Sequence, residues 1–180
     1  MIYIFLADGF EECEAIAPID ILRRAGILIK TVGIGKKTIM GSHGISIMCD
    51  LSDNEAVFDG LEGIILPGGM PGTLNLENSK TVQSFVDYSF KHNLLLSAIC
   101  AAPSILGHKG LLKGKSATCF TGFEKELLGA CVSQEPVIRD GNVITAYGAG
   151  AAFDFGLAIL SYLKGEETAL NMKKSMRYNK

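Results

Sequence analysis

The 180-residue sequence predicts an α/β fold, a mainly parallel sheet covered on both faces by helices, and three observations carry that expectation. Apolar strand-like runs alternate with segments of helical spacing along the whole chain, the order a parallel sheet requires. Glycine-rich turns follow several of those runs. Residues 94–103, LLLSAICAAP, take an apolar strand directly into a cysteine, small residues and a helical pattern, which is how a chain builds a nucleophile elbow.

Taken in order, residues 3–7 read as the first strand, 11–25 as a helix closed by Gly26, and 28–34 as the second strand. Residues 37–40 and 45–48 flank Gly41-Ser42-His43-Gly44 and read as a hairpin outside the main sheet. Residues 63–66 form a short buried strand ending at Pro67-Gly68-Gly69. Residues 74–92 keep helical spacing through Val82, Phe85, Val86 and Phe90, and 94–99 are the strand leading to the elbow. Residues 115–120 and 142–147 read as further strands, and 151–163 as an apolar helix ending near Gly165. On this reading all five prolines fall at element edges or turns, and a single domain spans residues 1–180 without repeat or linker.

The formal net charge is −2, and basic residues are scattered apart from Lys173, Lys174 and Arg177, so no basic field exists for a nucleic-acid backbone. The chain opens on strand-like residues with no basic leader, and no apolar run approaches the roughly 20 residues of a membrane helix. A cytoplasmic protein is expected, with no membrane and no nucleic-acid partner. Cys13, Cys49, Cys100, Cys119 and Cys131 are odd in number and form no C-x-x-C pair, which fits reduced thiols and implies no structural metal.

In an open parallel sheet, chemistry gathers at the carboxyl ends of the strands. Four such ends stand out: residues 8–14 (DGFEECE), Pro67-Gly68-Gly69, Cys100, and Tyr147-Gly148-Ala149-Gly150. Free N–H groups at a strand-to-helix turn stabilise an anion and lower a thiol's pKa, which sets an expectation for Cys100 of roughly 3.5 to 7.5. The alternative reading makes Cys100 a small buried apolar residue. Backbone donors at Gly68-Gly69 are placed to form an oxyanion hole opposite the cysteine. Cys119 lies in a strand pattern and reads as core. His92 and His108 read as surface or helix-end residues.

Residues 8–14, Leu66-Pro67-Gly68-Gly69 and Ala98-Ile99-Cys100-Ala101-Ala102-Pro103 together resemble the three signatures of the ThiJ/PfpI superfamily, within it the parkinsonism-associated protein deglycase branch and its bacterial relatives. The resemblance extends to Arg23-Arg24-Ala25-Gly26 and to residues 148–160. It implies a flavodoxin-like three-layer sandwich, usually a homodimer, with Cys100 the reactive cysteine, Glu14 the carboxyl group beside it, and Gly68, Gly69 and Ala101 shaping the pocket. Ala101 stands where the protease-like branch carries histidine, which argues against an adjacent Cys-His pair, and no histidine follows the next strand. His43 occupies the place of an arginine that reaches toward the site across the dimer; it reads either as a cross-dimer donor or as a solvated hairpin residue.

A thiolate and an ionised carboxylate in contact repel, so Glu14 helps only with a raised pKa, as a proton donor to Cys100. The resemblance implies a cofactor-free enzyme acting on reactive dicarbonyls or their glycated adducts, of glyoxalase or deglycase type. The alternative is a redox-responsive protective or chaperone-like protein whose cysteine climbs the oxidation ladder.

Overall fold

The structure, a computed structural model, describes residues 1–178. The chain runs β1 (Ile2–Leu6), α1 (Glu12–Arg24), β2 (Ile29–Gly33), β3 (Thr38–Met40), β4 (Ser46–Met48), β5 (Leu51–Ser52), β6 (Gly63–Leu66), α2 (Gly72–Asn78), α3 (Lys80–Lys91), β7 (Leu95–Ile99), α4 (Pro103–His108), β8 (Ser116–Ala117), β9 (Cys131–Val132), β10 (Val137–Asp140), β11 (Val143–Ala146), α5 (Ala152–Lys164) and α6 (Glu166–Ser175). The main sheet has the order β10-β11-β7-β6-β1-β2-β5. All its pairs are parallel except β10 with β11 at the edge.

Strand β1 shows why the sheet sits between two helical layers. Every residue of it is buried, and its side chains alternate. Ile2, Ile4 and Leu6 join Ile21 and Leu22 of α1 and Phe155 and Leu160 of α5 on one face. Tyr3 and Phe5 join Val82, Phe85 and Val86 of α3 and Ile105 of α4 on the other, with Tyr3 edge-on to Phe85 at 5.6 Å. Each such side chain contributes about 1.5–3 kcal/mol on burial, so two apolar faces fix both the register and the three layers. The expected three-layer, flavodoxin-like α/β sandwich is what the chain adopts.

Helix α1 has acidic residues in its first turn and Arg23 and Arg24 in its last, both favourable against the helix dipole. The expectation that every proline sits at an edge or turn fails at Pro18, which lies inside α1. A proline there cannot donate to the carbonyl four residues earlier, that of Glu14. Packing compensates: Pro18 and Ile21 lie against Gly156 of α5, so closely that a Cβ at 156 would meet Ile21 at 2.7 Å and the Pro18 Cα at 3.0 Å.

Three further expectations need correction. The single helix over 74–92 is two, α2 and α3, because Ser79 takes an extended backbone and caps the second with its Oγ against the Val82 N–H. The strand expected over 115–120 is only β8, which pairs with β9 away from the main sheet. Beyond it the Thr118 N–H turns to the Thr145 hydroxyl and the chain leaves for the elbow. Strands β5, β9 and β10 and helix α6 are additional to the elements expected. The β3–β4 hairpin lies outside the main sheet as expected, and a bridge from Phe10 to Gly41 ties it to the start of α1.

Candidate active site

Strands β1, β6, β7 and β11 lie side by side, so their carboxyl ends converge, and the elbow is built there. Strand β7 ends at Ile99, and Cys100 takes φ = 65°, a left-handed conformation that costs a non-glycine residue about 1–2 kcal/mol. Two hydrogen bonds hold it: the Cys100 N–H donates to the Ala146 carbonyl of β11 (2.9 Å), and the Cys100 carbonyl accepts from the Phe120 N–H (2.8 Å). Ala101 and Ala102 are buried and α4 follows at Pro103.

Glu14 arrives from α1 and is fully buried. The Gly68 N–H donates to its Oε2 at 2.9 Å, and Oε1 has no hydrogen-bond partner among the described residues. Glu11 caps α1 by accepting from the Glu14 N–H at 2.7 Å, while its own N–H donates to the Gly68 carbonyl at 2.9 Å. A trans peptide points its C=O and N–H in opposite directions. Anchoring the Gly68 carbonyl to Glu11 therefore aims the Gly69 N–H the other way, toward the Cys100 sulfur, which it and the Ala101 N–H both serve as donors.

Both glycines are required by space. A Cβ on Gly68 would lie 2.6 Å from the Cys100 Cβ and 2.8 Å from Glu14 Oε2. One on Gly69, whose φ is 88°, would lie within 2.6 Å of the backbone of Gly9, Phe10 and Glu11.

The electrostatics divide the expectations. Burial pushes Glu14 up to about 7, against the opposing bonds from Cys100 and the Gly68 N–H, as its proposed proton-carrying part needs. Cys100 goes the other way from the expected depression: burial first, then the Glu14 carboxylate, push it up to about 12, and the Gly69 and Ala101 amides only partly offset them. The elbow expectation counts helix-end donors and omits burial and the neighbouring acid. The two groups share protons as a pair. Loss of the first proton leaves one negative charge to divide between carboxylate and sulfur, and the nucleophilic form is the one with the proton on Glu14.

The structure brings Cys100, Glu14, Gly68, Gly69 and Ala101 together. His43 is engaged elsewhere in its own chain: its Nδ1 is 2.8 Å from Glu12 Oε2, and its side chain is 70% exposed. Burial works to raise Glu12, and the His43 ring and the N–H groups of His43 and Ile45 outweigh it, holding the carboxyl down to about 2. Glu11, Glu12 and His43 are the one group among the described residues that could hold a metal ion, with ligand atoms within 4.8 Å; the hydrogen bonds from His43 and Ile45 already occupy Glu12. Cys119 is buried and pushed up to about 11 by burial and Glu124. His92 caps the end of α3, and His108 ends α4 between Glu77 and Glu126.

Two residues go beyond the expected set. Phe120, half exposed, bonds the elbow through its N–H and sets its ring 3.2 Å from where a Gly148 Cβ would be, a position itself 4.0 Å from Glu14 Oε1. Glu11 organises Glu14 and Gly68. Only the second had a local signal, its place just before the first helical turn.

The model of the DJ-1/PfpI family matches residues 1–162. Among curated relatives, protein dj-1beta of Drosophila melanogaster is 34% identical over 176 residues, covering 96% of this chain and 94% of its own length. Among solved structures, a DJ-1 superfamily protein from Salmonella typhimurium, with one cysteine replaced by alanine, superposes with a TM-score of 0.94 at 31% identity over 99% of this chain and 98% of its own. Oxidised DJ-1 of Toxoplasma gondii gives a TM-score of 0.91 at 26% identity over 99% and 98%.

Proposed function

The chain belongs to the DJ-1/PfpI family, and from that premise we propose that it is a cofactor-free, cysteine-dependent enzyme acting on reactive dicarbonyls or their early glycated adducts. Family membership supports a DJ-1-like protective role; the dicarbonyl chemistry is the finer part of the proposal. The observation that carries it is the pairing of buried Glu14 with half-buried Cys100, with the Gly69 and Ala101 amides aimed at the sulfur. With the proton on Glu14, the Cys100 sulfur bonds the aldehyde carbon of methylglyoxal, and the amides hold the resulting oxyanion. A proton then leaves that carbon and one returns to its neighbour, giving a thioester whose hydrolysis releases lactate. Water is the only co-reactant, because one carbon is oxidised as the other is reduced. Glu14 is the group placed to carry the proton.

Lactate formation from methylglyoxal, deglycation of a glycated thiol and ester hydrolysis, measured side by side, test this. The wild-type protein is expected to give lactate and Cys100→Ser none. Equal lactate from both proteins would sink the proposal.

The second reading is a redox-responsive protective protein, favoured by the oxidised state in which the Toxoplasma gondii relative was solved. Stoichiometric oxygen addition at Cys100 under peroxide, without dicarbonyl turnover, would select it.

We also propose a single ThiJ/PfpI-like domain that works in the cytoplasm as a homodimer through α1 and the β3–β4 hairpin. The described residues contain no helix long and apolar enough to cross a membrane, and all five cysteines are free. Ile16 and Phe153 are exposed at 46% and 44%, and with Ile45 at 59% they line one apolar groove beside Cys13. Sedimentation at micromolar concentration is expected to give a dimer, and Ile16→Glu a monomer. A monomeric wild-type protein would also remove any cross-chain part for His43.

A further inference from the structure

We propose that His108 is a positioning residue for Cys100: as an imidazolium it ties together three stretches of chain that build the site, and loss of its proton loosens the elbow. The inference rests on Cys100 being the site's nucleophile and adds a residue, at the far end of α4, that sets its geometry.

Each group that meets at this ring belongs to a stretch that leaves the site. His108 Nδ1 is 2.5 Å from Glu77 Oε1, and Nε2 is 2.9 Å from Glu126 Oε2. His108 itself closes α4, the helix that follows Cys100-Ala101-Ala102. Glu77 lies in the last turn of α2, whose second residue, Thr73, donates its N–H to the Gly69 carbonyl at 2.9 Å. Glu126 ends a turn of 3-10 helix, Glu124–Glu126, from which backbone hydrogen bonds run back to the elbow. The Glu126 N–H donates to the Phe123 carbonyl (3.0 Å), the Phe123 N–H to the Phe120 carbonyl (3.0 Å), and the Phe120 N–H to the Cys100 carbonyl (2.8 Å). Gly107 lies so closely against the same turn that a Cβ there would meet the Leu127 Cα at 2.8 Å.

A neutral imidazole has one donor nitrogen and one acceptor, and an acceptor cannot serve a carboxylate. Two carboxylates therefore call for a ring protonated on both nitrogens. The bond to Glu77 first, then that to Glu126, raise the ring's pKa above the ordinary 6.5 against the opposing effect of burial. Among the described residues neither glutamate has a lysine or arginine ion-pair partner. Lys109, the adjacent cation, turns to Asp87 (2.8 Å) and Gln83 (2.9 Å) of α3, and Glu124 accepts from the Gly122 N–H. Both ties are thus in place below pH 6.5, and one is lost as pH rises through the higher folded value. The side chains of His108, Glu77 and Glu126 are 37%, 28% and 48% exposed, so water screens the pairs and the expected loosening is about fivefold, not the hundredfold or more of a buried pair.

The ring, the Phe120 amide and the Cys100 sulfur can each be read without turnover. Nitrogen NMR is expected to show both His108 ring nitrogens protonated at pH 6.5 and a titration above that value, which Glu77→Gln and Glu126→Gln each lower. Across that titration, exchange of the Phe120 N–H should rise by about fivefold beyond the ordinary base-catalysed increase, taken from the Leu96 N–H in the centre of the sheet. Iodoacetamide reads the sulfur: a carbon–sulfur bond forms at Cys100, iodide leaves and the thiol proton goes to solvent. The wild-type rate is expected to exceed that of His108→Gln by about fivefold below the His108 titration and to match it above, since glutamine stays neutral. His108→Arg keeps a charge and a fork of donors at every pH, and should hold the Phe120 protection across the whole range.

A ring that carries one proton at pH 6.5 would overturn the proposal. So would a high His108 titration to which neither the Phe120 amide nor the Cys100 rate responds, because the ring would then be an ion pair of the surface alone. Should His108→Gln not fold, the wild-type exchange profile and His108→Arg decide. Absence of lactate formation with this coupling intact would remove the dicarbonyl reading and still support the positioning role.

Discussion

Gly68→Ala is expected to lower dicarbonyl turnover by about 10² or more and to destabilise the fold by about 1–3 kcal/mol. The new methyl group would stand 2.6 Å from the Cys100 Cβ, 2.8 Å from Glu14 Oε2 and 3.0 Å from the Ile99 carbonyl. Two of these atoms are a Cβ and a backbone oxygen, and the third, Glu14 Oε2, is held by full burial and by the Gly68 N–H, so either the loop or the elbow moves. Movement of the loop pulls the Gly68 N–H off Glu14 and turns the Gly69 N–H away from the sulfur. Displacement of the elbow strains a residue already at φ = 65°. Gly150→Ala is the comparison, since its methyl would meet only the Tyr147 ring at 3.9 Å and its stability is expected within about 0.5 kcal/mol of the parent. Lactate formation and urea midpoints read both effects. Wild-type turnover in Gly68→Ala would mean that the two glycines shape the backbone but take no part in catalysis.

The fold is legible in the sequence where a local pattern and a tertiary demand coincide. Strands β1, β6 and β7 are short apolar runs because both their faces are covered, and the helices between them keep a single apolar stripe. The break at Ser79 is harder to read, since the apolar spacing runs on through it and only a capping serine marks it. Strand β10 is an antiparallel edge, partly exposed, with Arg139 and Asp140 in its four residues, and so lacks the buried signature of its neighbours.

Within the candidate site, Cys100 and the Gly68-Gly69 turn can be found because each ends or follows a strand, whereas Glu14, inside the first turn of α1 among other acids, is singled out only by the family resemblance. The direction of the Cys100 shift cannot, because it depends on burial and on an acid 86 positions earlier in the chain. Phe120 is equally silent: nothing around residue 120 announces that its N–H holds the elbow carbonyl.

Glu14→Gln is expected to separate proton transfer from the rest of the site. Glutamine keeps an acceptor for the Gly68 N–H and the volume of the side chain but exchanges no proton, so turnover should fall by about 10² to 10⁴ while peroxide still oxidises Cys100. Stability should move in the opposite sense. Glu14 rises on folding from 4.5 to about 7, so the folded protein binds its proton more tightly than the unfolded chain does. Between those values the unfolded state holds fewer protons, and wild-type stability declines as pH rises through the window. Complete loss corresponds to about 3 kcal/mol at about 1.4 kcal/mol per unit. Glutamine is neutral throughout and escapes this penalty, so the variant should match the wild-type protein near pH 4.5 and exceed it at pH 8, as urea midpoints at the two pH values would show. Undiminished turnover in Glu14→Gln, alongside its loss in Cys100→Ser, would reduce Glu14 to a pocket wall and leave the proton to water or to a residue of a second chain.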